Sequence, residues 1–262
     1  MDGMTGQLND AQMRAAQHHT GPMLVLAGPG SGKTTVILHR VRHLTAVHGV
    51  NPRSILVVTF TKAAADEMRT RYEALPDAAC GVTFCTLHAF FFHVLRDAGI
   101  CGLDSVADGA KRRAILVRAL EECDARFIIN YDALERLANG ISRVRGGGAD
   151  FADAQVKGMS TDTFRHVYNA YHGILKEEKL IDFDGMQAEC HALFARDAQA
   201  VNRWRARYPY ILVDEFQDVN RMQYECLQTL AAPANNIFAV GDDDQSIYGF
   251  RGCAPAFMLG FP

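Results

Sequence analysis

Apolar positions along this chain fall into two patterns. The runs MLVLAG (23–28), SILVVTF (54–60), GVTFCTL (81–87), YPYILVDEF (208–216) and NIFAVGD (236–242) are short and nearly continuous, and read as buried strands. Between them, KTTVILHRVRHLTAV (33–47) repeats its apolar residues at helical spacing, and 62–75 is rich in helix formers and stopped by Pro76. A short helix over 9–17 precedes the first strand, and another over about 221–231 separates the last two. Strands without polar alternation, joined by helices, predict a parallel sheet covered on both faces.

The middle of the chain reads differently. Residues 98–200 carry helical periodicity and no strong strand, as in KRRAILVRALEEC (111–123) and TFRHVYNAYHGILKEEK (163–179), with RGGGAD (145–150) as a break. The expected organisation is therefore an α/β lobe from 1–97 and 201–262, interrupted by an all-helical subdomain over 98–200.

Composition alters little. The chain has 262 residues, 48% hydrophobic and 22% charged, which is the balance of a globular protein. No apolar run reaches membrane length and no secretory leader is visible, so a cytoplasmic location is expected. Seven scattered cysteines without a CxxC pair argue against a zinc site or disulfide framework. The formal net charge of −3 argues against holding nucleic acid on a uniformly basic surface, but not against stacking in a local groove.

Two segments carry chemistry. Ala27 to Thr34 spell A-G-P-G-S-G-K-T, a phosphate-binding loop with alanine in its first place, set between a strand and a helix. Glycines there turn backbone N–H groups toward phosphates, Lys33 reaches the β- and γ-phosphates, and the Thr34 hydroxyl suits Mg²⁺. The second segment is ILVDEFQD (211–218), where an apolar strand ends in adjacent acids. Asp214 is expected on the metal side, through water, and Glu215 as the base that activates water, since adjacent side chains diverge.

Taken with LNDAQMRAAQ (8–17), TFTKAAADEMRTR (59–71), CTLHAFFFHVLR (85–96), LIDFDGM (180–186) and VGDDDQSIYGFRG (240–252), these segments resemble the UvrD/Rep/PcrA-type superfamily 1 DNA helicases over nearly the whole chain. The resemblance implies the first RecA-like lobe of a P-loop NTPase with its helical insertion. It implies an ATP- and Mg²⁺-dependent motor that runs 3′ to 5′ on single-stranded DNA and unwinds duplex at single-strand/duplex junctions, in repair or replication. Gln12 would read adenine, because an amide donates and accepts together. The nucleotide would be held by Gln12, Ala27, Gly28, Pro29, Gly30, Ser31, Gly32, Lys33, Thr34, Thr35 and Arg40. Lys33, Asp214, Glu215 and Gln245 would carry catalysis, with Gln245 near the γ-phosphate.

Phe60, Thr86, His88, Tyr248, Phe250 and Arg251 would face DNA or the lobe interface. Phe60 reads equally as a core residue at a strand end, and His88 as a satisfied core histidine, while Phe90, Phe91 and Phe92 read as packing. The basic runs KRR (111–113) and SRVR (142–145) read as solvated helix faces or as duplex contacts.

The chain departs from the family pattern in places. Lys62 and Ala63 stand where Asn and Lys are frequent, Thr35 where Arg is frequent, and Phe250 where Trp is frequent. The family's second RecA-like lobe, which supplies arginines to the γ-phosphate, has no counterpart in the sequence. A fragment of a longer helicase is expected, with a naturally short relative, a binding module without turnover, or the motor of a helicase–nuclease assembly as alternatives.

Overall fold

A computed structural model describes residues 8–125, 127, 129–146, 149–154, 156–242 and 261. Five strands form one sheet in the order β1-β5-β4-β2-β3, with β1 Met23–Leu26, β2 Ile55–Thr59, β3 Thr83–Thr86, β4 Tyr210–Val213 and β5 Ile237–Gly241. Every pairing is parallel. All residues of β2 and β5 are buried, which is why these segments show no polar alternation.

Parallel strands need crossovers, and helices supply them on both faces. One face is covered by α1 (Asp10–Gln17), α2 (Lys33–Ala46) and α3 (Lys62–Glu73), through Ile37, Val41, Leu44, Met68 and Tyr72 against Val57, Phe84 and Phe238. The other is covered by α4 (Leu87–Asp97) together with later helices.

Residues 98–200 do not form one helical block. The helices α5 (Gly109–Glu122), α6 (Tyr131–Arg145) and α7 (Thr161–Glu177) share their own core, built on Leu116, Leu137, Ile141, Phe164, Val167 and Tyr171. In contrast, α8 (Phe183–Arg196) and α9 (Ala198–Arg207) give Met186, Cys190, Leu193, Val201 and Trp204 to the core of the sheet, beside α4 and α10 (Arg221–Ala231). The helical unit is entered and left at one point. Ala107 N–H donates to Ile181 O at 2.9 Å, and Ile181 N–H to Ser105 O at 2.7 Å. Packing therefore changes near 107 and 181, not at 98 and 200. Periodicity missed this because α8 and α9 are helical like the insertion and differ only in what they pack against.

Among the described residues no helix is long and apolar enough to cross a membrane.

Candidate active site

All five strands point their C-terminal ends the same way, so the residues that follow them gather at one edge of the sheet, where open α/β sheets take their ligands. The loop at 27–32 leaves β1 and enters α2. Gly30 and Gly32 hold φ of 69° and 81°, a region that glycine alone enters without cost. Gly32 caps α2 with no side-chain hydrogen bond, which leaves the first amides of the helix turned toward the loop mouth. Gly28 has open space where a Cβ would stand. Backbone donors, a helix start and open space together make an anion cradle.

Lys33 is aimed across that cradle. Its ammonium donates to Ala27 O at 3.1 Å and pairs with Asp242 Oδ2 at 3.4 Å. Asp242 follows β5, is 1% exposed, and has its own N–H bound to Gln217 Oε1 at 3.0 Å. From the sequence, Asp242, Asp243 and Asp244 are expected to serve structural hydrogen bonds or the metal's outer shell, with no individual assignment. Register supplies one: Leu26 lies opposite Gly241, and Ala27 N–H bonds Gly241 O, so the residue after β5 falls beside the loop.

Asp214 and Glu215 leave β4 in different ways. Asp214 is buried, its N–H bonds Val58 O at 2.9 Å, and its Oδ1 has no hydrogen-bond partner among the described residues. Burial, reinforced by Glu215, pushes its carboxyl up to about 7, against the opposing pull of Lys33. Glu215 sits at φ 52°, an uncommon conformation for a residue with a side chain, and Gln217 Nε2 holds its Oε2 at 2.6 Å. The chain thus turns sharply directly after Asp214. The shape of this turn and the role of Gln217 were not legible in the sequence.

Gln12 lies against the loop. Its Oε1 accepts from Asn9 N–H at 2.8 Å and its Nε2 donates to Ser31 O at 2.9 Å, so the capping box of α1 also fixes the amide on the phosphate loop. An amide has two donors and two lone pairs, which leaves one of each for a base. Thr34 lies in the first turn of α2, while the Thr35 hydroxyl accepts from Arg71 Nη2 of α3 at 3.3 Å.

Arg40 does not join this group. It is 2% exposed, bonds the carbonyl of His18, and lies 4.5 Å over the Phe238 ring. Seven residues beyond Lys33, it stands about 10 Å further along the helix, and serves as a core anchor between α2 and the 18–19 turn. Its assignment to the nucleotide is corrected accordingly. Gln245, Tyr248, Phe250 and Arg251, with Asp243 and Asp244, lie outside the described residues.

A second hollow opens beside the ends of β2 and β3, with a volume of about 120 Å³. Phe60 and His88 both line it, from the sheet side, facing Arg112, Asn139 and Ser142 of the helical unit. Phe183, at the start of α8, completes the aromatic group: its ring lies 5.2 Å from that of His88 and the residue is 41% exposed. In the sequence Phe183 stands in LIDFDGM (180–186), which resembles the segment where the helical insertion rejoins the core, and the sequence assigns it no role of its own. The signal was an aromatic directly after a helix-capping aspartate. Thr86 stands nearby, but its Oγ1 accepts from Ala89 N–H at 3.1 Å and so caps α4.

The rejoining segment holds the two units together. Asp182 is fully buried and accepts from Arg145 Nη1 at 2.8 Å, Gly185 N–H at 2.7 Å and Tyr171 OH at 2.7 Å. Asp184 accepts from Arg112 Nη2 at 2.8 Å and Ser142 Oγ at 2.5 Å. Burial alone would raise Asp182; Arg145, Arg112, Tyr171 and Gly185 overcome it and hold the carboxyl below its ordinary value. Arg112 and Arg145 are therefore neither solvated nor free for duplex, which corrects both readings of the basic runs at those two positions.

Comparison with known proteins agrees with this architecture. The family model described as UvrD/REP helicase N-terminal domain matches residues 8–262. The ATP-dependent DNA helicase PcrA of Leuconostoc citreum is 34% identical over 100% of this chain and 36% of its own length. PcrA of Staphylococcus aureus is 31% identical over the same shares. The chain thus spans about a third of the length of these curated relatives. With a phosphate loop and an acidic strand end meeting at one edge of a parallel sheet, and a family match across nearly its whole length, the chain belongs to the UvrD/REP helicase family and represents its N-terminal domain.

Proposed function

We propose that this chain binds Mg-ATP in the 27–35 loop and single-stranded DNA in the hollow lined by Phe60, His88 and Phe183, and that the whole protein couples ATP hydrolysis to 3′-to-5′ translocation and duplex unwinding. The observation that carries this reading is the Lys33–Asp242 pair in the mouth of the glycine loop. It places an ammonium, held by a neighbouring carboxylate, where a γ-phosphate can displace that carboxylate.

The donor set fits a hard divalent cation. Asp214 Oδ1 is a buried oxygen with no partner among the described residues, the Thr34 hydroxyl opens α2, and oxygen ligands suit Mg²⁺. When bound, the ion supplies neutralisation of phosphate charge. The residues of the chain do the remaining work. Lys33 exchanges Asp242 for phosphate oxygens. The loop amides and the start of α2 hold the β-phosphate. Glu215, with Oε2 fixed by Gln217, offers Oε1 to orient water and take its proton. Gln12 presents its remaining donor and acceptor to adenine.

The hollow offers rings and few phosphate-directed cations, which suits sequence-independent stacking of bases. Hydrolysis by this chain alone is expected to be slow, because an arginine supplied to the γ-phosphate from a second lobe contributes about 10³–10⁵ in rate.

The test is thermal unfolding of the chain with and without saturating Mg-ATP. Protection is expected, and Lys33→Ala should abolish it. No protection of the unsubstituted chain would reject the nucleotide assignment.

A further inference from the structure

Helix α4 carries two surfaces. His88, in its first turn, lines the hollow with Phe60. Further along, His93 and Arg96 line an open trough of about 550 Å³, together with Thr83 of β3 and Arg207 and Tyr208 at the end of α9. A neighbouring hollow of about 560 Å³, lined by Arg53, shares Thr83, Arg207 and Tyr208 with it, so the two form one continuous trough beside the edge strand β3.

The trough is positively charged on a chain whose net charge is −3. Arg53, Arg96 and Arg207 are exposed on it. Among the described residues of its lining the one carboxylate is Asp97, which lies 3.8 Å from the guanidinium of Arg203. Arg207 is held in place over the rings of Trp204 and Tyr208, at 5.1 and 5.3 Å. Those rings are only 5% and 6% exposed, so the trough presents charge and no surface for stacking a base. His93 reports the same field: burial, then Arg96 and Arg207, lower its pKa from the ordinary value.

We propose that this trough extends the strand path: single-stranded DNA leaving the hollow at Phe60 and His88 runs down α4 with its phosphates against Arg96, Arg207 and Arg53. The proposal rests on the reading that the hollow takes single-stranded DNA. Continuity favours this occupant over an acidic peptide, because one helix carries both surfaces. From His88 to Arg96 is eight residues, about 12 Å along the axis, a span that a few nucleotides of extended single strand cover. Phosphate-directed arginines of this kind add affinity without sequence preference, because the phosphate backbone carries no sequence information.

The test is the salt dependence of binding to fluorescent oligo(dT) of about 15 nucleotides, long enough for an extended site. The chain is compared with Arg96→Gln/Arg207→Gln and with Arg96→Lys/Arg207→Lys. Each phosphate that is no longer neutralised lowers the slope of log K against log salt by about 0.7 for a single strand, so the glutamine pair should lower it by about 1.4. The lysine pair should keep the slope. An unchanged slope for the glutamine pair overturns the proposal while leaving the hollow intact as a strand site. Failure of the unsubstituted chain to bind the oligonucleotide overturns both readings. Should Arg207→Gln unfold the chain, Arg53→Gln/Arg96→Gln makes the same measurement.

Discussion

Lys33 Nζ, at the start of α2, and Asp242 Oδ2, directly after β5, lie 3.4 Å apart, with the carboxylate almost fully buried. Lys33 is thus neutralised from within the chain before any phosphate arrives. Asp242→Asn should remove that partner. An ammonium left in a mostly buried place destabilises the nucleotide-free chain, by about 3 kcal/mol on the scale of broken buried pairs. Phosphate then supplies the missing charge. The shift in melting temperature on adding Mg-ATP should therefore be larger for Asp242→Asn than for the unsubstituted chain. An equal or smaller shift would remove Asp242 from the site.

Asp214 gives a pH signature. Its folded pKa, about 7, lies above the ordinary 3.8. The folded state therefore holds a proton that the unfolded state has released between those values, and stability falls as pH rises from about 4 to about 7. Asp214→Asn should abolish this fall. Three pH units correspond to about 4 kcal/mol, so the variant should melt several degrees higher at pH 8 without Mg²⁺. With Mg-ATP the order should reverse, because the cation needs the carboxylate. Parallel melting curves across pH for the two proteins would refute the assignment.

The sheet, its parallel sense and the phosphate loop were legible because they rest on local pattern: continuous apolar runs, and glycines at fixed spacing before a lysine. Asp242 was not, because its role depends on which strand neighbours β1, and strand order is set by packing of the whole lobe. Arg40 was misassigned for a related reason. Its place on α2 is plain from sequence, but the face it presents to Phe238 is not. The joint at Asp182 was hidden in the same way: its partners Tyr171 and Arg145 lie 11 and 37 positions away, on other helices.

The aromatic hollow predicts selective losses. Phe183 is 41% exposed, so Phe183→Ala should cost little stability. If bases stack there, removing a ring should weaken single-strand binding by about 1–3 kcal/mol, roughly 5- to 150-fold. Phe60→Ala should do likewise. Thr86→Ala is the control. Its hydroxyl caps α4, so its loss should appear as about 1 kcal/mol of stability with a smaller effect on binding. Equal binding by Phe183→Ala and the unsubstituted chain would place the strand elsewhere.

The joint between the helical unit and the sheet should be acid-labile in two stages. His172, with its Nε2 buried, is lowered to about 4, first by burial and then by Arg145. The unfolded chain takes up a proton near 6.5 that the folded one refuses, so stability falls as pH drops from about 6.5 to about 4. Asp182 acts below that. Its folded pKa is depressed, so its contribution is complete above the unfolded value of about 3.9 and is lost as pH falls through the folded one. His172→Leu should remove the first stage and leave the second. Asp182→Asn should destabilise at neutral pH, by about 3–5 kcal/mol, because Arg145 and Arg112 lose a buried counter-ion. Amide hydrogen exchange locates the effect: faster exchange in α5 to α7, with β2 and β5 still protected, is the expected result. Uniform acceleration across both units would show that they unfold as one and that Asp182 is not their joint.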